Sequence, residues 1–287
     1  VLGAYGMLGH RMLLELGHRF DVAGTVRAPR KWDAPIMEQL TAHQIITGVD
    51  AFNIETVRST IRQYRPRAVV NCIGIVKQAE AAKDPIASIT INSLFPHQVA
   101  KAVHEVGGTL VHFSTDCVFS GREGHYSQDR NPDPEDLYGR SKLLGEVAKN
   151  GVTVRSSLIG RELGTSHGLV EWLLSNRGRA VTGFRRAIFS GLPTQEMAKV
   201  VGMLIERMPV TEGVWHVATD PISKFDLLSR INAEAKTGIT ILPDDSVAID
   251  RSLDSSPFSQ ATGYRAPGWD DMIKAMVKEF PLYEQRG

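Results

Sequence analysis

Tyr138 and Lys142 stand four residues apart in Tyr138-Gly139-Arg140-Ser141-Lys142. On a helix this spacing puts both side chains on one face, about 6 Å apart along the axis. An ammonium so placed stabilises a phenolate and lowers the tyrosine pKa. A tyrosine tuned in this way can give its proton to a developing alkoxide near neutral pH. The same pair also occurs on solvated helix surfaces. Upstream lies His112-Phe113-Ser114-Thr115-Asp116-Cys117-Val118-Phe119-Ser120-Gly121. Here an apolar run ends in hydroxyl residues and then turns at a glycine. The carboxyl end of a parallel strand lines the ligand crevice, where a hydroxyl can bond a substrate carbonyl. A strand-end hydroxyl that caps local backbone is the plainer alternative.

A third cluster opens the chain: Val1-Leu2-Gly3-Ala4-Tyr5-Gly6-Met7-Leu8-Gly9, followed by an apolar helical pattern. Glycines between a strand and a helix permit a tight turn and close approach to a pyrophosphate. The helix N-terminus offers that anion free N–H groups and a partial positive charge. Gly3, Tyr5, Gly6, Met7 and Leu8 are the candidate contacts. A glycine turn used only for close packing gives the same spacing. The second strand ends Thr25-Val26-Arg27, with Arg30 and Lys31 close behind and no acidic residue at its tip. An acid there holds the 2′-hydroxyl of NAD, whereas arginine suits the 2′-phosphate of NADP. Arg27 therefore favours NADP(H), with NAD(H) left open.

These groups need a scaffold that brings strand ends and helix starts together. β-rich runs at 21–25, 68–72, 109–114 and 152–155 alternate with helical patterns at 10–16, 54–64, 92–106 and 137–149. That alternation predicts an α/β fold, a Rossmann-type doubly wound parallel sheet. After Gly160 the rhythm breaks. Helical patterns at 168–175, 195–207, 224–236 and 270–279 are separated by loops with Pro243, Pro257 and Pro267. Residues 1–158 read as the dinucleotide-binding domain. Residues 159–287 read mainly as a smaller, C-terminal substrate-binding portion, with 189–213 packing back on the first.

Composition narrows the partners. The net charge is +1 over 287 residues and the few basic clusters are short, so no nucleic-acid partner is expected. No apolar run is long enough to span a membrane and no leader is visible, so a cytoplasmic protein is expected. The first strand looks clipped at Val1. Two cysteines, Cys72 and Cys117, are too few for a disulfide framework and lack metal-ligand spacing. Both are expected to be reduced, and no metal is expected.

Glycine loop, strand-end Ser/Thr and Y-x-x-x-K occur here in the order of the extended short-chain dehydrogenase/reductase family. The chain resembles the dTDP-4-dehydrorhamnose reductase branch of that family, over nearly its whole length. Ser114 to Gly121 match the branch's Ser-Thr-Asp-aromatic-Val-Phe-x-Gly stretch except at Cys117. Gly191-Leu192-Pro193-Thr194 resembles its Pro-Thr segment, and Val154-Arg155-Ser156-Ser157 with Gly160 resembles the strand after the catalytic helix.

The resemblance implies a reductase acting on the keto group of a nucleotide-diphosphate sugar, a 4-keto-6-deoxy sugar, in cell-surface polysaccharide precursor synthesis. It implies Thr115 as the catalytic hydroxyl, Tyr138 as the acid and Lys142 as its partner. Asp50 and Ala51 would lie near the adenine. Cys72, Ile73, Gly74 and Ser114 would line the rest of the cofactor. Lys77, Asp116, Cys117 and Arg186 are candidate substrate contacts, and Arg161, Arg185 and Arg251 could complete a cationic clamp. Cys117 stands where the branch usually has an aromatic residue beside the sugar, which points to a bulkier or differently substituted sugar, such as an N-acetylated one. The branch's assemblies vary, and a homodimer is left open. Two alternatives remain: a nucleotide-sugar epimerase, and a non-catalytic subunit resembling the regulatory subunit of methionine adenosyltransferase. Cys117 after Asp116, in place of a glutamate, argues against a dehydratase.

Overall fold

The computed structural model describes residues 1–30, 32–207 and 211–285. Lys31 lies outside the described residues, as do residues 208–210 of the 189–213 span. The main sheet runs, in spatial order, Gln44–Ile46, Ala23–Thr25, Leu2, Ala68–Asn71, Thr109–Phe113, Gly151–Arg155 and Gly213–His216. Every pairing is parallel. Leu2 joins the two halves of the sheet by bridging Thr25 on one side and Asn71 on the other. Chain order runs one way from Leu2 and the opposite way from Ala68–Asn71. That reversal is a topological switch point, and ligands of such sheets bind in the crevice outside it.

Alternation along each strand sorts side chains to two faces. Val69 and Leu110 join Val57, Ile61, Phe95, Val99 and Val103 in one cluster. Their neighbours Val70 and Val111 join Met12, Leu16, Met197, Val201 and Leu204 in another. Helices Ile54–Tyr64 and Phe95–Glu105 thus cover one face, and Met7–Gly17 and Thr194–Arg207 the other. Both faces are buried, which is why these short strands are apolar throughout. A cavity of about 380 Å³ lies beneath Val1, bordered by Ala23 and Ala68.

The second half supplies small sheets around the crevice. Ala187–Phe189 pairs with Ile222–Ser223 on one side and Ile249–Asp250 on the other. Thr240–Asp244 pairs with Ala180–Phe184, and Leu158–Ile159 with Leu192–Pro193. The last described turn, Phe280–Tyr283, returns to the first helix. There Tyr283 Oη lies 2.6 Å from His10 Nε2, and Arg11 pairs with Glu279 at 3.0 Å. The largest core cluster runs from Leu8 and Val111 to Leu227 and Met272 without interruption.

Two helix boundaries differ from the sequence pattern. The pattern at 137–149 is helical only over Leu137–Leu144. A Cβ at Gly145 would lie 1.9 Å from the Asn92 carbonyl oxygen, so close packing forces a glycine where the helix stops. The pattern at 92–106 is α-helical over Phe95–Glu105, preceded by a π-helical turn at Ile89–Leu94. π-turns are rare and often mark functional sites.

Candidate active site

The glycine loop leaves the sheet at the switch point. Gly3 has φ +80°, a left-handed conformation, and a Cβ there would also lie 2.9 Å from Ile73 Cγ1. A Cβ at Gly9 would lie 2.0 Å from the Gly3 carbonyl oxygen. At Gly6 a Cβ would meet only that same oxygen, at 3.4 Å, and the residue is exposed. Gly3 and Gly9 therefore close the turn, while Gly6 keeps its outer face open. Helix Met7–Gly17 has no side-chain cap and no acidic residue in its first turn. Its leading N–H groups are left for an external acceptor. Tyr5 and Met7 are half-buried and Leu8 is buried. This open cradle fits a dinucleotide pyrophosphate.

Arg27 lies just past strand Ala23–Thr25, exposed, with no side-chain hydrogen bond or ion pair among the described residues. Arg30 is instead tied to the Leu163 carbonyl. Gly48 donates to the Arg27 carbonyl and Val49 to that of Val26, each at 3.2 Å. Asp50 and Ala51 are thereby held at the same sheet end as Arg27. The Asp50 carboxylate accepts from the Phe52 amide at 3.1 Å.

Strand Thr109–Phe113 delivers Ser114 and Thr115 to the crevice. The buried Thr115 Oγ1 accepts from the Cys117 amide and donates to Asp116 Oδ1, each at 3.1 Å. It thus caps the 3₁₀ turn Asp116–Val118. Helix Leu137–Leu144 lies against that turn, because a Cβ at Gly139 would come 2.2 Å from the Cys117 carbonyl oxygen. Asp136 caps the helix by accepting from the Gly139 amide at 2.8 Å. Tyr138 and Lys142 share the face this contact creates. Lys142 Nζ donates to the Phe113 carbonyl at 2.6 Å, and a Cβ at Gly74 would lie 3.9 Å from it. Cys72, Ile73 and Gly74 therefore border the site.

Asn92, in the π-turn, was not singled out by sequence. Its Oδ1 accepts from the Ile75 amide at 2.9 Å, and its Nδ2 donates to the Ile75 carbonyl at 3.1 Å. The same Nδ2 reaches Ser141 Oγ at 3.3 Å. One amide thus pins the turn after Asn71 to the Tyr138 helix. The helical pattern around Asn92 contains no motif that marks it.

Electrostatics correct one expectation. Burial pushes the Tyr138 phenol above its ordinary value, and Cys117 adds to the rise. A side-chain hydrogen bond with Thr115 works in the opposite direction. The predicted lowering by Lys142 is absent, since that ammonium is turned to the Phe113 carbonyl. Burial lowers Lys142 itself to about 8, with Glu146 opposing. Burial raises Cys117 to about 11 and Cys72 to about 12, so both are neutral thiols at neutral pH.

The expected cationic clamp is redistributed. Arg161 is buried, bonded to Glu171 Oε1 at 2.5 Å and seated over the rings of Phe280 and Tyr283. Arg185 pairs with Asp245 at 2.8 Å on the surface, and Arg186 is exposed beside the same carboxylate. Ser114 Oγ is committed to Glu146 Oε1 at 2.6 Å, within a buried pair of Glu146 with Arg155. Arg251 does reach the site, donating to the Phe119 and Ser120 carbonyls at 2.9 and 3.2 Å. Lys77 pairs with Asp136 at 2.6 Å. Lys224, which sequence reading missed, has its pKa lowered by burial, with smaller electrostatic effects from Asp116, Cys117, Arg251 and Lys77. Among the described residues no group of three His, Cys, Asp or Glu side chains could hold a metal, and no helix is long and apolar enough to cross a membrane.

The sequence profile of the family described as RmlD substrate binding domain matches residues 1–281. A Haloferax volcanii protein described as a probable low-salt glycan biosynthesis reductase is 30% identical, over 99% of this chain and 98% of its own length. The dTDP-4-dehydrorhamnose reductase of Streptomyces griseus is 33% identical over 52% of this chain, which is 43% of its own length. The crystal structure of Bacillus anthracis dTDP-4-dehydrorhamnose reductase in complex with NADP superimposes with a TM-score of 0.77 at 22% identity, over 97% of both chains.

Proposed function

The chain belongs to the RmlD family of sugar-nucleotide reductases, and from that premise we propose that it reduces a nucleotide-linked 4-keto-6-deoxy sugar with NADPH. The observation that carries this reading is the junction of three elements. The Thr115 turn, the Tyr138–Lys142 face and the glycine cradle all border one crevice at the switch point.

Each residue then has a physical task. Gly3, Tyr5, Gly6, Met7 and Leu8 hold the pyrophosphate at the helix N-terminus. Arg27 pairs with the 2′-phosphate, and Asp50 and Ala51 flank the adenine. Cys72, Ile73, Gly74 and the backbone of Ser114 line the inner wall. A bound nicotinamide cofactor supplies the hydride. Lys142 holds the nicotinamide ribose. Thr115 and Tyr138 bond the carbonyl oxygen, and Tyr138 donates its proton as alkoxide charge develops. The phenol is protonated at neutral pH, as a donor must be, and its raised pKa makes it a weaker acid than a free tyrosine. Asp116 and the neutral Cys117 face the sugar, and Cys117 leaves room for a bulky substituent. Lys77 and Arg251 shape the substrate-side wall in this reading.

An absorbance assay of NADPH and NADH oxidation tests it, run against dTDP-, UDP- and GDP-linked 4-keto sugars, with and without N-acetyl groups. One NADPH consumed per sugar reduced, with NADPH preferred and the preference lost in Arg27→Ala, is the expected result. Sugar conversion without net NADPH consumption would make the protein an epimerase. No turnover on any sugar, with co-purification of a methionine adenosyltransferase, would make it a regulatory subunit.

A further inference from the structure

Five charged groups crowd the wall beside Thr115: Lys77, Lys224, Arg251, Asp116 and Asp136. Three are cations and two are carboxylates, so one positive charge is in excess. The hydrogen bonds identify which. Lys77 is paired with Asp136 at 2.6 Å. Arg251 spends its guanidinium on the Phe119 and Ser120 carbonyls, and its Cγ would lie 3.0 Å from a Cβ at Gly121. Lys224 is half-buried and has no hydrogen bond or ion pair among the described residues.

The fold fixes Lys224 beside Arg251. Ser223 pairs with Ile188, and Ile188 pairs with Asp250. Arg251 follows the outer strand Ile249–Asp250 directly, and Lys224 follows the outer strand Ile222–Ser223 as the first residue of helix Lys224–Ala235. Arg251 meets the Phe119–Gly121 loop, and the Lys224 ammonium lies within electrostatic reach of Arg251 and Asp116. Burial also lowers the proton affinity of Lys224, with Asp116 and Cys117 opposing. A partly desolvated cation without a partner costs free energy that an arriving anion offsets.

We propose that Lys224 binds the diphosphate of the sugar nucleotide and is the main charge contact between this chain and that group. The inference rests on the sugar-nucleotide reading above. C1 of a hexopyranose lies directly across the ring from C4. A phosphate on C1 therefore stands a full ring's width from the carbonyl that Thr115 would bond, and the diphosphate is the anionic group that this substrate brings to the wall where Lys224 stands. Lys77 and Arg251 are already engaged, and they shape the wall rather than grip the anion.

Titration calorimetry on the whole chain tests this with dTDP, UDP and GDP, the matching monophosphates, and NADPH. For the tightest nucleoside diphosphate, Lys224→Gln is expected to weaken binding by about ten- to a hundredfold, as loss of a charge-assisted contact does. Lys224→Arg should restore most of it, and NADPH affinity should not move in either variant. Unchanged diphosphate affinity in Lys224→Gln overturns the assignment while the sugar-nucleotide reading stands. A loss seen for the whole sugar nucleotide but not for the bare diphosphate also overturns it, and moves the Lys224 contact to the sugar. Parallel loss of NADPH affinity overturns it in favour of a role in the fold. A wild-type protein that binds none of the three diphosphates overturns both readings.

Discussion

Lys142 Nζ and the Phe113 carbonyl oxygen lie 2.6 Å apart, joining the helix of Tyr138 to the end of the strand that leads to Thr115. The lysine is buried and its pKa is lowered to about 8, chiefly by desolvation. Its charge is therefore present below about pH 8 and lost above it. kcat/KM reports groups of the free enzyme. We expect kcat/KM for NADPH to fall as pH rises through about 8. Lys142→Arg should remove this limb, because a guanidinium stays charged. An unchanged limb in Lys142→Arg would assign the titration to another group.

Tyr138 carries the opposite shift, upward through burial. A neutral phenol is the form a proton donor needs, so Tyr138 should not limit reduction on the alkaline side before Lys142 does. Tyr138→Phe removes the proton and little volume. Turnover should fall by about 10²–10⁴-fold, the usual contribution of a positioned acid. NADPH affinity, measured by fluorescence titration, should stay within about twofold, since the phenol does not touch the pyrophosphate cradle. Turnover near that of wild type would exclude Tyr138 as the acid.

Gly9 and Gly6 separate packing from binding. A methyl group at Gly9 meets the Gly3 carbonyl oxygen at 2.0 Å, and both atoms belong to backbone that cannot swing aside. Gly9→Ala should destabilise the fold by about 1–3 kcal/mol, the usual cost of overpacking. That corresponds to a drop in Tm of roughly 2–4 °C per kcal/mol for a chain of this size. At Gly6 the nearest atom is 3.4 Å away, so Gly6→Ala should keep its Tm. It should still lose cofactor affinity, because the methyl group projects into the open cradle. Equal Tm losses in the two variants would contradict this division.

Local spacing made part of the site legible. Gly3, Gly6, Gly9, Thr115, Tyr138 and Lys142 each belong to a short motif whose geometry follows from one turn, one strand end or one helix face. The alternation of apolar runs was enough to predict the parallel sheet for the same reason. Strand Gln44–Ile46 has only three residues and escaped notice. Asn92 and Lys224 act across separations that no motif encodes, through a π-turn and a three-stranded sheet. Arg161 looked like a free cation until the fold placed Glu171, Phe280 and Tyr283 around it. The direction of the Tyr138 shift depends on burial, which the i, i+4 spacing does not contain.

Glu146 links stability to that chemistry. Its carboxylate binds Arg155 through two bonds of 2.7 and 2.8 Å and also accepts from Ser114 Oγ at 2.6 Å. Both charged side chains are only 8% exposed. Removing one member strands the other charge in a poorly solvated place, which typically costs about 3–5 kcal/mol. Glu146→Gln should therefore lower the stability of the folded chain by about that amount in urea unfolding. Replacing both partners, as Glu146→Gln with Arg155→Met, should recover much of the loss because no lone buried charge remains. The carboxylate also opposes the lowering of Lys142. Without it, the alkaline limb of kcat/KM should move to lower pH in Glu146→Gln. A single variant as stable as wild type would show that the pair is not the anchor of this strand end. A limb that stayed in place while stability fell would separate the two roles, leaving Glu146 a structural residue only.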